Sequence, residues 1–175
     1  MNKERLKPFL KWAGGKSQLL EEIRKYYPSG LGGSITKYAE PFIGGGAVFF
    51  DILNNYKLET LYISDSNAEL INVYRQIKDN VGKLLKLLIE FQSDFVPLDT
   101  EERKKYYYSK RERFNSLKRD QVLSVETAAL FIFLNKTCFN GLYRVNKSGK
   151  FNVPAGKYKN PLICDKENLV NISKK

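Results

Sequence analysis

Residues 38–53 read YAEPFIGGGAVFFDIL. The run from Thr36 to Phe42 has the apolar, β-forming character of a buried strand and ends at Pro41. Three glycines, Gly44 to Gly46, then make a turn, and Ala47–Leu53 has the spacing of a helix. Thr60–Ser64, TLYIS, is a second strand closed by Asp65. Strand, glycine turn, helix, strand and acid in this order predict a parallel α/β sheet. The turn satisfies Gly-x-Gly at Gly44 and Gly46, but Phe49 stands where a strict dinucleotide fingerprint has its third glycine. The geometry still suits a cofactor. Glycines admit close backbone approach, and the helix start presents free N–H groups. Glu40 is placed to hold an amine. Asp65 lies 19 residues after Gly46, where an acid reaches ribose hydroxyls. The combination points to a nucleoside cofactor.

Upstream, Phe9–Ser17 reads FLKWAGGKS and ends like a phosphate-binding loop. That loop needs a glycine five residues before Gly15, and Leu10 stands there. It should also follow a buried strand, where this chain has Lys11 and Trp12, so the nucleotide-hydrolase reading fails. Ser17–Tyr27 carries Leu19, Leu20, Ile23 and Tyr27 at helical spacing. Ser17 is its expected N-cap, and Pro28 and Gly30 its stop.

Downstream the pattern changes. Asn67–Ile77 is helical, with Leu70, Ile71 and Tyr74 on one face. From about residue 80 to 135 only helical segments follow: amphipathic Val81–Phe91, highly charged Glu101–Asn115, expected to be solvated, and apolar Val125–Asn135, expected in the core. Gly141–Pro154 reads as a β-hairpin turning at Lys147-Ser148-Gly149. This block has the look of an insertion outside the sheet.

Composition limits the chemistry. The chain has 175 residues and no histidine, which excludes a histidine base or a histidine-containing zinc site, and no metal site is expected. Cys138 and Cys164 are two ordinary thiols without a paired motif. No apolar run reaches membrane-span or signal-peptide length, so the expected location is the cytoplasm, with no membrane partner. The net charge of +11 implies a polyanionic partner. From Thr127 through Cys164 there is no acid, while Lys136, Arg144, Lys147, Lys150, Lys157 and Lys159 all fall there. Such a one-sign stretch is a candidate phosphate-facing surface.

FLKWAGGKSQLL, EPFIGGGAVFF, ISDSNAELINVYRQIK and NKTCFNGLYRVNKSGKFNVPAGKYKNP occur in this order. Together they resemble the Dam-type (D12 class) adenine-N6 DNA methyltransferases, including those of GATC restriction–modification systems. The resemblance covers nearly the whole chain. It implies an α/β, Rossmann-like methyltransferase sheet with an inserted helical and hairpin target-recognition domain. Residues 1–67 would belong to the cofactor-binding domain, 68–163 to target recognition, and 164–175 to the return into the first. The implied cofactor is S-adenosylmethionine, bound by Trp12, Lys16, Glu40, Pro41, Phe42, the Gly44, Gly45 and Gly46 turn, and Asp65. The implied partner is double-stranded DNA. Phe139 would wedge or stack where the target adenine flips out, Asn140, Leu142 and Arg144 would approach bases, and Lys11, Lys157 and Lys159 would also meet DNA. An enzyme that modifies a base must take it out of the stack, and an aromatic beside Asn and Arg suits that task.

The family's transfer step uses an Asp-Pro-Pro-Tyr motif. These 175 residues contain no Asp-Pro and no Pro-Pro; the nearest string, Asn160-Pro161-Leu162-Ile163, has no aromatic to stack on a base. The expectation is therefore an N-terminal portion with no catalytic residue of its own, inactive alone, with an incomplete sheet whose edge is exposed. A split enzyme with the catalytic motif on a second chain, and a non-catalytic DNA-binding remnant, stand as alternatives.

Overall fold

The computed structural model describes residues 5–175. A 3₁₀ turn at Ser17–Leu19 leads into a short α1, Leu20–Arg24. Then come β1 (Lys37–Glu40), α2 (Ala47–Asn55), β2 (Thr60–Ile63), α3 (Ala68–Phe95), α4 (Thr100–Arg119), α5 (Val125–Thr137), a second 3₁₀ turn (Phe139–Gly141) and α6 (Lys166–Ser173). The fold is α/β with helices dominant. β1 and β2 pair in parallel with Tyr38 opposite Leu61 and Glu40 opposite Ile63, so both strand ends deliver their acids to one edge. The strand–turn–helix–strand order read from the glycine motif is thus present.

Local chemistry sets the helix starts. Asp65 accepts the Asn67 N–H at 3.0 Å, and Asn67 caps α3 by accepting from the Leu70 N–H at 2.9 Å. Asp99 and Glu102 form a reciprocal capping box on α4, and Ser124 caps α5. α5 is buried all round and forms the centre of the core, packed by α3 and α4. Most of the buried apolar residues form one cluster running from Leu6 to Ile172.

Three expectations need correction. Ser17 makes no capping bond; the 3₁₀ turn precedes α1, and the helix ends at Arg24. The expected Asn67–Ile77 and Val81–Phe91 helices are both present as the two halves of α3, divided by a kink where Asn80 leaves helical geometry (φ −137°, ψ 30°). The charged α4 is not simply solvated: Tyr107 and Phe114, seven residues apart, are fully buried. Its charge masks a narrow apolar stripe. The 141–154 segment folds back on itself through a single Val145–Phe151 bridge, with Asn146 accepting around the turn, and forms no strands. α4 holds it instead. Asn115 pairs with both the N–H (2.8 Å) and the C=O (3.1 Å) of Phe151, and the Tyr107 hydroxyl donates to the Val153 carbonyl at 2.9 Å.

Candidate functional site

The glycine turn is built from both strands. Asp65, one residue beyond Ser64 at the end of β2, accepts the Gly44 N–H through Oδ2 at 3.0 Å, while its Oδ1 takes Asn67. Each carboxylate oxygen keeps lone-pair capacity. The Tyr74 hydroxyl donates to the Gly44 carbonyl at 3.1 Å. Gly44 has φ +48°, and a Cβ there would come within 2.9 Å of the Trp12 ring. Only glycine combines that conformation with that approach. Trp12 therefore lies directly against the turn. Its other neighbours are Tyr143, at 5.9 Å between ring centroids, and Phe131 at 6.3 Å, both stacked.

Between the 8–18 segment and the start of α2 lies a cleft of about 350 Å³, lined by Leu10, Lys11, Trp12, Gly14, Gly45 and Ala47 among others. That volume is at the lower end of ligand-binding clefts. Lys16 belongs to the same loop, with its ammonium donating to the Gly14 carbonyl at 2.7 Å. Glu40 ends β1. It accepts the Tyr38 hydroxyl at 2.7 Å. Burial raises its pKa, outweighing the lowering by the Tyr38 hydroxyl and the Phe49 backbone. Pro41 and Phe42 are exposed, and Phe42 retains 80% of its surface. So the structure sets Trp12 against Gly44 and Gly45 and Asp65 on Gly44, with Glu40 held at the first turn of α2 by the Phe49 backbone and Phe42 exposed.

The second group lies at the end of α5. Phe139 is 52% exposed, its N–H held by the Pro154 carbonyl at 2.9 Å. Asn140 follows in the left-handed region (φ 53°), which turns the chain and leaves its side chain exposed. Leu142 is half-buried against the core. Arg144 is exposed, with its Nε donating to Asn152 Oδ1 at 2.8 Å. Lys157 and Lys159 line a separate cleft of about 510 Å³ with Arg103, Lys104 and Tyr158. Lys11 joins the two groups: it borders the first cleft, and its ammonium donates to the Tyr158 hydroxyl at 3.1 Å.

Several contributors escaped the sequence reading. Tyr158 was signalled only as an aromatic between two lysines. Arg103 donates to the Phe95, Val96, Tyr158 and Lys159 carbonyls and so fixes the lysine-bearing loop. Asn135 clamps Lys11. Nothing in composition marks a helical Arg or Asn as a backbone clamp.

The D12 class N6 adenine-specific DNA methyltransferase family matches residues 12–175. The chain belongs to this family. The type II methyltransferase M.MjaIII of Methanocaldococcus jannaschii is 52% identical to this D12-class chain over 170 residues, covering 97% of it and 58% of the relative. The type II methyltransferase M1.LlaDCHI of Lactococcus lactis is 44% identical, covering 98% and 55%. The DNA adenine methylase of Haemophilus influenzae is 38% identical over 156 residues, covering 87% and 48%. The D12-class chain thus spans about half the length of the curated relatives it matches.

Proposed function

We propose that these 175 residues carry the cofactor wall and the DNA-reading element of an S-adenosylmethionine-dependent DNA adenine-N6 methyltransferase of a type II restriction–modification system. The observation that carries this reading is that Gly44 touches both Trp12 and Asp65 beside the cleft lined by Trp12 and Gly45, and that Lys11 of the same cleft packs against Gly141 in the Phe139–Arg144 turn. In this reading residues 1–67 serve the cofactor, 68–163 the DNA, and 164–175 begin the return. The chain's residues fit S-adenosylmethionine. Trp12 offers an apolar face against the turn, Asp65 has acceptor capacity for ribose hydroxyls, and Glu40 adds an anion near the α2 start that suits a ligand amine. When bound, the cofactor supplies an electrophilic methyl group.

Phe139 is the residue proposed to fill the space left by a flipped adenine; an exposed aromatic at a stiff turn suits it for stacking. Asn140, Leu142 and Arg144 are assigned to base edges, Lys11 to the boundary of the two sites, and Lys157 and Lys159 to phosphates. The proposed substrate is duplex DNA, with GATC as the proposed site and the cytoplasm as the setting. Among the described residues no helix is long and apolar enough to cross a membrane.

The amino-proton acceptor and base-stacking group are proposed to come from an Asp-Pro-Pro-Tyr segment outside these 175 residues, on the same or a second chain. The test is N6-methyladenine formation on duplexes with GATC or a permuted site. The 175 residues alone should give none, and addition of the polypeptide bearing the motif should restore it on GATC. Methylation by these residues unaided would sink the division of labour; methylation confined to another site would sink the specificity.

A further inference from the structure

A primary amide side chain presents one acceptor and two N–H donors, so a buried asparagine can stand in for a neighbouring strand. Four asparagines do so here, three buried and Asn54 part-buried, each pairing with both the N–H and the C=O of one residue of another segment. Asn54 holds Leu6 (2.8 and 2.8 Å), Asn168 holds Lys7 (3.1 and 3.0 Å), Asn115 holds Phe151, and Asn135 holds Lys11 (2.9 and 2.8 Å). Asn135 also uses its second N–H, which donates to the Gly141 carbonyl at 2.9 Å. It is 3% exposed, and both donors and its acceptor are engaged. One amide therefore grips two segments that are 130 residues apart in sequence.

Packing around the clamp ties the same two segments. Gly141 has φ +64°, and a Cβ there would overlap the Lys11 side chain, coming within 2.6 Å of its Cδ. Trp12, next to Lys11, stacks on Tyr143, two residues after Gly141, and both stack on Phe131 of α5. α5 supplies Asn135 and Phe131 together, one turn apart.

We propose that Asn135 is a positioning residue: it locks the Lys11–Trp12 wall of the cofactor cleft to the Phe139–Arg144 turn, so that cofactor and DNA are held by one rigid unit. This rests on the assignment of the two segments to those two ligands. The need is geometric. Methyl transfer requires reacting atoms aligned within about 3–3.5 Å, and independent movement of the two segments would lose that alignment. Asn135 touches neither ligand in this scheme and acts through the backbones it holds.

The test uses Asn135→Asp, which keeps an acceptor for the Lys11 N–H, removes both donors and sets carboxylate oxygens beside two carbonyls. Trp12, the sole tryptophan, is the reporter. Hydrogen exchange at the Lys11 amide and its neighbours should rise roughly ten-fold or more, with the α3 and α4 amides unchanged. Trp12 emission should shift to the red, and duplex DNA, expected to move that emission in the wild type, should no longer do so. Wild-type exchange and emission in the variant would overturn the proposal. Should Asn135→Asp not fold, Gly141→Ala, confined to the turn, replaces it. Pushing on Lys11 from the DNA side must then alter both Lys11 exchange and Trp12 emission, and no change in either overturns the clamp. If wild-type protein binds no duplex, the assigned DNA role is what fails, and exchange in the free variants still decides the clamp.

Discussion

The glycine-turn wall and the 139–159 segment are held by different kinds of bond. The wall stands on backbone: paired strands, a helix start, and an aspartate bridging a turn to a cap. The 139–159 segment has no sheet. It hangs on side chains of α4 and α5: Asn115 and Tyr107 on its return, Arg103 on its lysine loop, Asn135 on its turn. A backbone-built site tolerates surface change and fails when its turn is filled. A side-chain-built loop fails when a single helix residue is changed at a distance from any ligand.

That contrast can be broken most forcefully at Asn115. Asn115→Leu keeps the volume but leaves a buried N–H and C=O of Phe151 without partners. The expected loss is about 2–4 kcal/mol in urea unfolding, with weaker DNA binding. A change within 0.5 kcal/mol would mean that the return segment is held by something else.

A smaller effect sharpens the comparison within the backbone-built half, where two acids respond oppositely to pH. Asp51 on α2 is held below the usual carboxylate range by the Arg24 guanidinium, which it binds at 2.5 Å, and the Tyr27 hydroxyl adds to this. Its contribution is present above its ordinary pKa and lost as pH falls through the lowered one. Glu40 is raised by burial, so its contribution is present below its ordinary pKa and lost as pH rises through the raised one. Asp51→Asn should cost stability at pH 7, and the cost should shrink as pH falls below the ordinary carboxylate range. Glu40→Gln, which keeps an acceptor for Tyr38, should raise the unfolding midpoint at pH 7 relative to its effect at pH 4, and should weaken cofactor binding. Urea midpoints across that range test both signs. A stability reserve given up at Glu40 is what a binding residue shows; one held at Asp51 is what a structural ion pair shows.

Least visible should be Lys157→Ala. Its side chain is exposed, so stability should move by less than about 0.5 kcal/mol. DNA affinity should fall uniformly across sequences, with the log-log salt slope reduced by about 1. An unchanged slope would remove Lys157 from the phosphate contacts.

The two halves also differ in how far they could be read. Gly44 and Asp65 announce themselves because a turn before a helix and an acid after a strand leave fixed spacings. α5 was legible as core from its unbroken apolar run. The hairpin was legible as a reversal, through Ser148-Gly149, but not as a segment without strands. Its ladder is replaced by Asn115, which lies in a stretch that reads as a solvated helix. Tyr107 and Phe114 were hidden by the lysines and arginines around them. Asn135 and Arg103 act on carbonyls far away in sequence, and no local pattern encodes such a partner. Long-range side-chain clamps set the 139–159 segment and the Leu6–Lys11 stretch, while short-range rules set the glycine turn.

The glycine turn that Trp12 and Asp65 flank is proposed as the methyl-donor site. Calorimetric titration of S-adenosylmethionine into the wild-type chain and Asp65→Ala tests this most directly. The expected result is one-to-one binding by the wild type and loss of at least ten-fold in affinity in the variant, whose DNA binding persists. Absence of binding by the folded wild type, or equal affinity in Asp65→Ala, would contradict it.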